Sequence, residues 1–96
     1  MAVDEAYTVH LRLEGRVQGV WFRGWAVDEA SALGLRGWVR NRRDGSVEAL
    51  LIGSEAAVET MVLRCHDGPP GSRVDHVARV TAHDDGSVGF RQVASV

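Results

Sequence analysis

Residues 15–23, Gly-Arg-Val-Gln-Gly-Val-Trp-Phe-Arg, are the first candidates for chemistry in this 96-residue chain. Gly15 and Gly19 lie within five residues of each other, just ahead of an apolar pattern of helical period. Such a loop lets successive backbone N–H groups turn toward one point, forming a nest that binds an anion with the helix dipole behind it. The spacing is neither that of a dinucleotide-binding GxGxxG loop nor that of a Walker loop. Arg23 sharpens the pattern. A cation in the first turn of a helix opposes the positive end of the dipole, at roughly 0.3–1 kcal/mol. An anion between Arg23 and the amides would offset that; otherwise the arginine points to solvent from a short loop. Asn41, which ends an apolar strand ahead of a tight turn, also has two readings: a functional carboxamide, or a side chain that bonds its own backbone.

The other reactive residue types are poorly placed. His10, His66, His76 and His83 are scattered, with no i,i+4 pair and no cysteine beside them, so no metal site is expected. His10 and Arg12 belong on the more exposed face of their strand, and His66 beside Asp67 belongs at a helix end. Cys65, the single cysteine, falls on an apolar helix stripe and reads as a small core residue. No serine sits in a nucleophile elbow, and no pair of carboxylates flanks the basic loop.

Composition narrows the classes further. All 11 basic residues are arginine, which excludes a Walker lysine and Schiff-base chemistry in this chain. Between Arg12 and Arg43 there are seven arginines against three acids, although the chain as a whole carries −2. A basic segment in an acidic protein points to an anionic ligand, or else to a solvated face. With one cysteine no internal disulfide forms, which suits a reducing compartment. The acidic start Met-Ala-Val-Asp-Glu has no apolar signal core, and no apolar run reaches the ~18–20 residues of a membrane span. A cytoplasmic protein is expected, with 1–96 as a single domain.

The elements that must position these residues follow from periodicity. Residues 8–13 alternate as a strand with Val9, Leu11 and Leu13 inward. After the loop 15–21, Phe22, Trp25, Ala26, Ala30 and Leu33 recur at helical spacing, and Gly34 stands where a C-terminal cap belongs. Gly37–Asn41 and Ser46–Ile52 read as strands joined by a hairpin at 42–45, with Asp44-Gly45 supplying the positive φ. Ser54 caps a second helix with Glu55 in its first turn, and Val58, Met61, Val62 and Cys65 form its apolar stripe. Residues 67–71, which hold both prolines, end that helix. A strand follows near Val74–Ala82, then a turn at 84–86 and a short last strand around Val88–Val93. The order predicts a ferredoxin-like α+β sandwich: βαββαβ with a short extra C-terminal strand, one antiparallel-type sheet, and two helices on one face.

Taken together, residues 15–23 and Gly-Trp-Val-Arg-Asn-Arg-Arg-Asp-Gly-Ser-Val-Glu (37–48) resemble the two signature segments of the acylphosphatase family. Ala30, Leu33-Gly34-Leu35, Gly53 and Gly68-Pro69-Pro70 match as well, so the likeness runs from about Thr8 to Phe90. It implies metal-free, cofactor-free hydrolysis of a carboxyl–phosphate anhydride by in-line water attack, without a covalent intermediate. The loop Gly15, Arg16, Val17, Gln18, Gly19, Val20, Trp21 and Phe22 would bind the phosphoryl group. Arg23 would grip it, and Asn41 would hold the attacking water. Bottom-up chemistry agrees: phosphoryl transfer asks mainly for positioning and charge stabilisation, and a carboxylate leaving group with a pKa near 4 needs no general acid.

The implied partners are a small acyl phosphate, with inorganic phosphate or sulfate in the anion loop. No nucleic acid and no membrane are expected, and the chain is expected to be a monomer. Gln92 departs from the family, which has an apolar residue there, so the tail would pair in another register or fray. Arg40, Arg42 and Arg43 either attract substrate or are solvated turn residues. Two rival readings are a silent anion-sensing module and an RNA-binding domain of the same topology. The RNA reading needs exposed aromatics on the first and third strands, where Val9, Leu11, Val47 and Leu51 stand instead. Carbamoyl phosphate is a narrower substrate option, typical of similar domains attached to larger maturation proteins.

Overall fold

The computed structural model describes residues 6–96; the acidic first five residues lie outside them. In chain order come β1 (Tyr7–Arg16), α1 (Phe22–Ala32), β2 (Arg36–Asn41), β3 (Val47–Gly53), α2 (Glu55–Asp67), β4 (Arg73–Thr81) and β5 (Phe90–Gln92). The five strands form one sheet in the order β4-β1-β3-β2-β5. This is the expected ferredoxin-like βαββαβ sandwich with one strand added at an edge.

One expectation needs correction. The sheet is mixed, because β5 runs parallel to β2, pairing Gly37 with Phe90 and Val39 with Gln92. The cause is the path of the chain. β4 runs against β2, and the connection 82–89 reverses direction once more while carrying the chain from the β4 edge to the β2 edge. Arg36 holds that connection by donating to Asp84 and to the Ser87 carbonyl, and Trp38 donates to Asp85 at 3.1 Å. Nor does the tail fray. Val93 N–H donates to Val39 O at 3.0 Å, Val96 N–H to Asn41 O at 3.1 Å and Arg43 N–H to Val96 O at 2.7 Å.

Strand alternation sends Val9, Leu11, Leu13, Val39, Val47, Ala49 and Leu51 toward the helices, where they are buried. They meet Phe22, Ala26 and Ala30 of α1 and the predicted stripe Val58, Met61, Val62 and Cys65 of α2. Each large side chain so buried contributes roughly 1.5–3 kcal/mol. α1 ends in the double hydrogen bond of a Schellman cap: Gly34 N–H to Ser31 O at 3.0 Å and Leu35 N–H to Ala30 O at 2.9 Å. The residues weighed for RNA stacking therefore face the helices. On the opposite face, the positions where β1 pairs with β3 are Thr8, His10, Arg12, Glu48, Leu50 and Ile52, and they too include no Phe, Tyr or Trp. Among the described residues no helix is long and apolar enough to cross a membrane.

Candidate active site

β1 carries the chain to the start of α1 through residues 17–21. The side chain of Val17 is buried, as is that of Phe22, so the loop is pinned into the core at both ends. Residues anchored in this way reach a surface hollow through their main chain. Between the pins, Gly19 turns the backbone at φ 74. Trp21, the N-cap of α1, is also left-handed, at φ 61 and ψ 28. For a bulky residue that conformation costs on the order of 1–3 kcal/mol, and such strain persists where the surroundings enforce it. The indole lies over Gly24, where a Cβ would come 2.0 Å from the ring nitrogen.

α1 begins with no side-chain cap and no acid in its first turn. Its first N–H groups are thus left to an outside partner. A hollow of about 120 Å³ opens there, bordered by Val17, Gln18, Gly19, Trp21, Phe22, Arg23, Gly24, Asn41 and Gln92. It is several times the space one water needs. Arg23 has no ion-pair partner among the described residues. The Asn41 Oδ1 is buried and accepts no hydrogen bond. An unpaired buried carbonyl is disfavoured by about 1–3 kcal/mol, so the carboxamide stands as an acceptor in reserve.

The second wall is held by the hairpin. Arg42 N–H donates to Ser46 O at 2.8 Å, and Asp44 Oδ1 accepts from the Ser46 N–H at 2.9 Å and its hydroxyl at 2.6 Å. Those bonds from Ser46, with the nearby charge of Arg12, hold the Asp44 carboxyl below its ordinary value. Gln18 then ties loop to hairpin: its Nε2 donates to the carbonyls of Arg42 and Ser46, both at 2.8 Å. The Gln18 side chain is therefore occupied as a tether, which fixes the distance between the loop and Asn41.

Of the residues singled out in the sequence, Val17, Gln18, Gly19, Trp21, Phe22, Arg23 and Asn41 border one hollow. Gly15, Arg16 and Val20 do not. β1 runs on to Arg16, so Gly15 pairs with Val74 and Arg16 with Arg73 of β4, while Val20 packs against the core. Two bordering residues, Gly24 and Gln92, had not been assigned to the site. Gly24 is there because Trp21 folds over it, and Gln92 arrives on β5. Cys65 is buried on α2 and its thiol is pushed up to about 12 by burial, so it takes no part. No cluster of three His, Cys, Asp or Glu is found among the described residues. A larger hollow of about 630 Å³ lies at the opposite end of β1, but its lining holds Glu55 and no arginine, a poor setting for an anion.

The family model for acylphosphatase matches residues 9–92. An acylphosphatase of Rhodospirillum rubrum is 55% identical over 91 residues, which cover 93% of this chain and 98% of that protein. Among solved structures, an acylphosphatase from Bacillus subtilis aligns with a TM-score of 0.86 at 37% identity, over 90% of this chain and 97% of the other. An acylphosphatase from Coxiella burnetii aligns with a TM-score of 0.88 at 29% identity, over 93% and 94%.

Proposed function

The chain belongs to the acylphosphatase family and hydrolyses the carboxyl–phosphate bond of acyl phosphates, and from that premise we propose how its residues divide the task. The main chain of Val17–Gly19 and of Trp21–Phe22 and the guanidinium of Arg23 receive the phosphoryl oxygens. A planar five-donor cation meets two of those oxygens at once, and the uncapped amides of α1 meet the remaining charge. Asn41 accepts a hydrogen bond from a water and turns its lone pair toward phosphorus. A neutral amide does this without repelling the anionic phosphate, as a carboxylate would.

The water oxygen forms the new bond to phosphorus as the bond to the acyl oxygen breaks. The electron pair leaves with the carboxylate, and the protons of the water stay with the phosphate. A carboxylate leaving group departs without a proton donor, and none borders the hollow. No divalent ion is needed in this scheme, because amides and guanidinium supply the charge stabilisation. The enzyme is taken to act as a monomer in a reducing, cytoplasmic setting, which its single buried free thiol suits.

The observation that carries this reading is the meeting of Arg23 and the unpartnered Asn41 carboxamide at one hollow. The test is turnover of an aryl acyl phosphate in EDTA by wild type and Asn41→Ala. Chelator-resistant turnover is expected. Asn41→Ala should lower kcat by about 10²–10³-fold, the size of one lost oxyanion-hole donor, with competitive inhibition by phosphate retained. A strict requirement for divalent metal, or full kcat in the variant, would overturn the scheme.

A further inference from the structure

The open face of the sheet, away from the hollow, carries the one buried charged side chain among the described residues. Glu48, on β3, is 4% exposed. Its Oε1 accepts from Arg40 Nε and from Arg42 Nη1, the latter at 3.1 Å, and its Oε2 lies 2.8 Å from His10 Nε2. Burial alone would push this carboxyl up, but the hydrogen bonds from Arg40 and His10 and the charge of Arg40 hold it below its ordinary value. Trp38 closes the cluster, with the Arg40 guanidinium 4.7 Å from its ring centre.

A buried ion pair is a poor way to stabilise a sheet, since well-packed apolar side chains often serve as well or better. What it fixes is direction. Arg40 and Arg42 are the two chain neighbours of Asn41, and both reach the same carboxylate oxygen. At a strand end, side chains 40 and 42 leave one face and side chain 41 leaves the other. Holding the outer two therefore sets the aim of the middle one. The main chain of Arg42 is held a second time, from the loop, by Gln18. The two arginines are thus neither free substrate attractors nor simply solvated turn residues.

We propose that Glu48 is a positioning residue of the hydrolytic reaction, acting through Arg40 and Arg42 to aim the Asn41 carboxamide at the attacking water. The proposal rests on the reading of Asn41 given above. A misplacement of about 1 Å in an active site can cost 10²-fold in rate, so a loosened strand end has a kinetic signature.

The experiment is a double-mutant cycle of Glu48→Gln and Asn41→Ala, with kcat referred to folded protein and the inhibition constant of inorganic phosphate measured alongside. Glu48→Gln alone should lower kcat by about 10-fold and leave KM and phosphate inhibition within about twofold. In the Asn41→Ala background it should lower kcat no further. Factors that multiply in the double variant, unchanged kcat in Glu48→Gln, or parallel loss of phosphate inhibition would each overturn the proposal. Full kcat in Asn41→Ala alone would instead sink the reading of Asn41, and the clamp with it. If Glu48→Gln does not fold, Arg42→Met replaces it in the cycle. That variant leaves Glu48 paired with Arg40 and His10, and a kcat loss of about threefold that vanishes beside Asn41→Ala is expected.

Discussion

The two helices of this sandwich each follow a strand and pack on the same face, yet they begin in opposite ways. α2 is closed by its own sequence: Ser54 is extended, its hydroxyl accepts from the Ala57 N–H at 3.2 Å, and Glu55 lies in the first turn. α1 begins behind a left-handed Trp21 with no side-chain cap, no acid, and Arg23 where the dipole would favour an anion. The orphan N–H groups of a helix must be satisfied somewhere. α2 satisfies one of them from within, through Ser54, and gains stability by it. α1 leaves them open and adds a cation, and under the proposed function their partner arrives from solution, as the phosphoryl group of the substrate.

The comparison breaks first at Arg23. Arg23→Ala should lower kcat/KM by about 10³-fold or more, since the lost donor is charged and bidentate rather than neutral. Its melting temperature in phosphate-free buffer should hold or rise slightly, because removing a cation from the positive end of a helix relieves roughly 0.3–1 kcal/mol. Activity lost together with stability would mean that Arg23 is structural and the comparison wrong. Phosphate sharpens the same point. At about 100 times its dissociation constant it should add about 2.7 kcal/mol to wild-type stability, a rise of roughly 10–20 °C for a domain of this size. Thermal melts of Arg23→Ala across the same phosphate series should show little or no rise.

How much of this was legible beforehand follows the range of the interactions involved. The glycine-bearing loop ahead of α1, the Schellman end at Gly34 and the stripe Val58-Met61-Val62-Cys65 are local patterns, and sequence carried them. Asn41 was legible as a residue, but only the resemblance joined it to Arg23, since the tether from Gln18 to the Arg42 and Ser46 carbonyls spans more than twenty residues. Gln92 stood out only as a polar residue in the last strand, not as part of the site. Only the parallel pairing of β5 with β2 brings it to the hollow, and three residues of strand carry too little pattern to announce that pairing. Glu48 misleads in the other direction: a charged residue in a strand reads as exposed, and its burial depends on arginines supplied by β2 and the hairpin.

At the other helix the effects should be on stability alone. Ser54→Ala removes the hydroxyl that closes α2 and should destabilise the fold by about 1 kcal/mol, lowering the melting temperature by about 4–8 °C. The variant's kcat should match wild type, because Ser54 lies at the end of the sheet opposite Arg23 and Asn41. A kcat loss on the scale of Asn41→Ala would show that the two helix starts are not the separate devices they are taken for here.

The smallest effect concerns how α2 is tied down once begun. Glu59 on α2 accepts from Arg79 of β4 through both carboxylate oxygens, at 2.8 and 2.6 Å, and from the Tyr7 hydroxyl of β1 at 3.0 Å. The bonds from Arg79 and then Tyr7 lower its pKa from an ordinary 4.5 to about 2. A carboxyl depressed on folding contributes stability above its unfolded pKa and loses it as pH falls through the folded one. The melting-temperature gap between wild type and Glu59→Gln should therefore be level above about pH 5, narrow below it, and close near pH 2. The groups are exposed, so the gap should be small and should shrink with added salt. A gap that stays constant down to pH 2 would leave the ion pair without a role, and α2 would then owe its anchorage to the apolar stripe on its inner face.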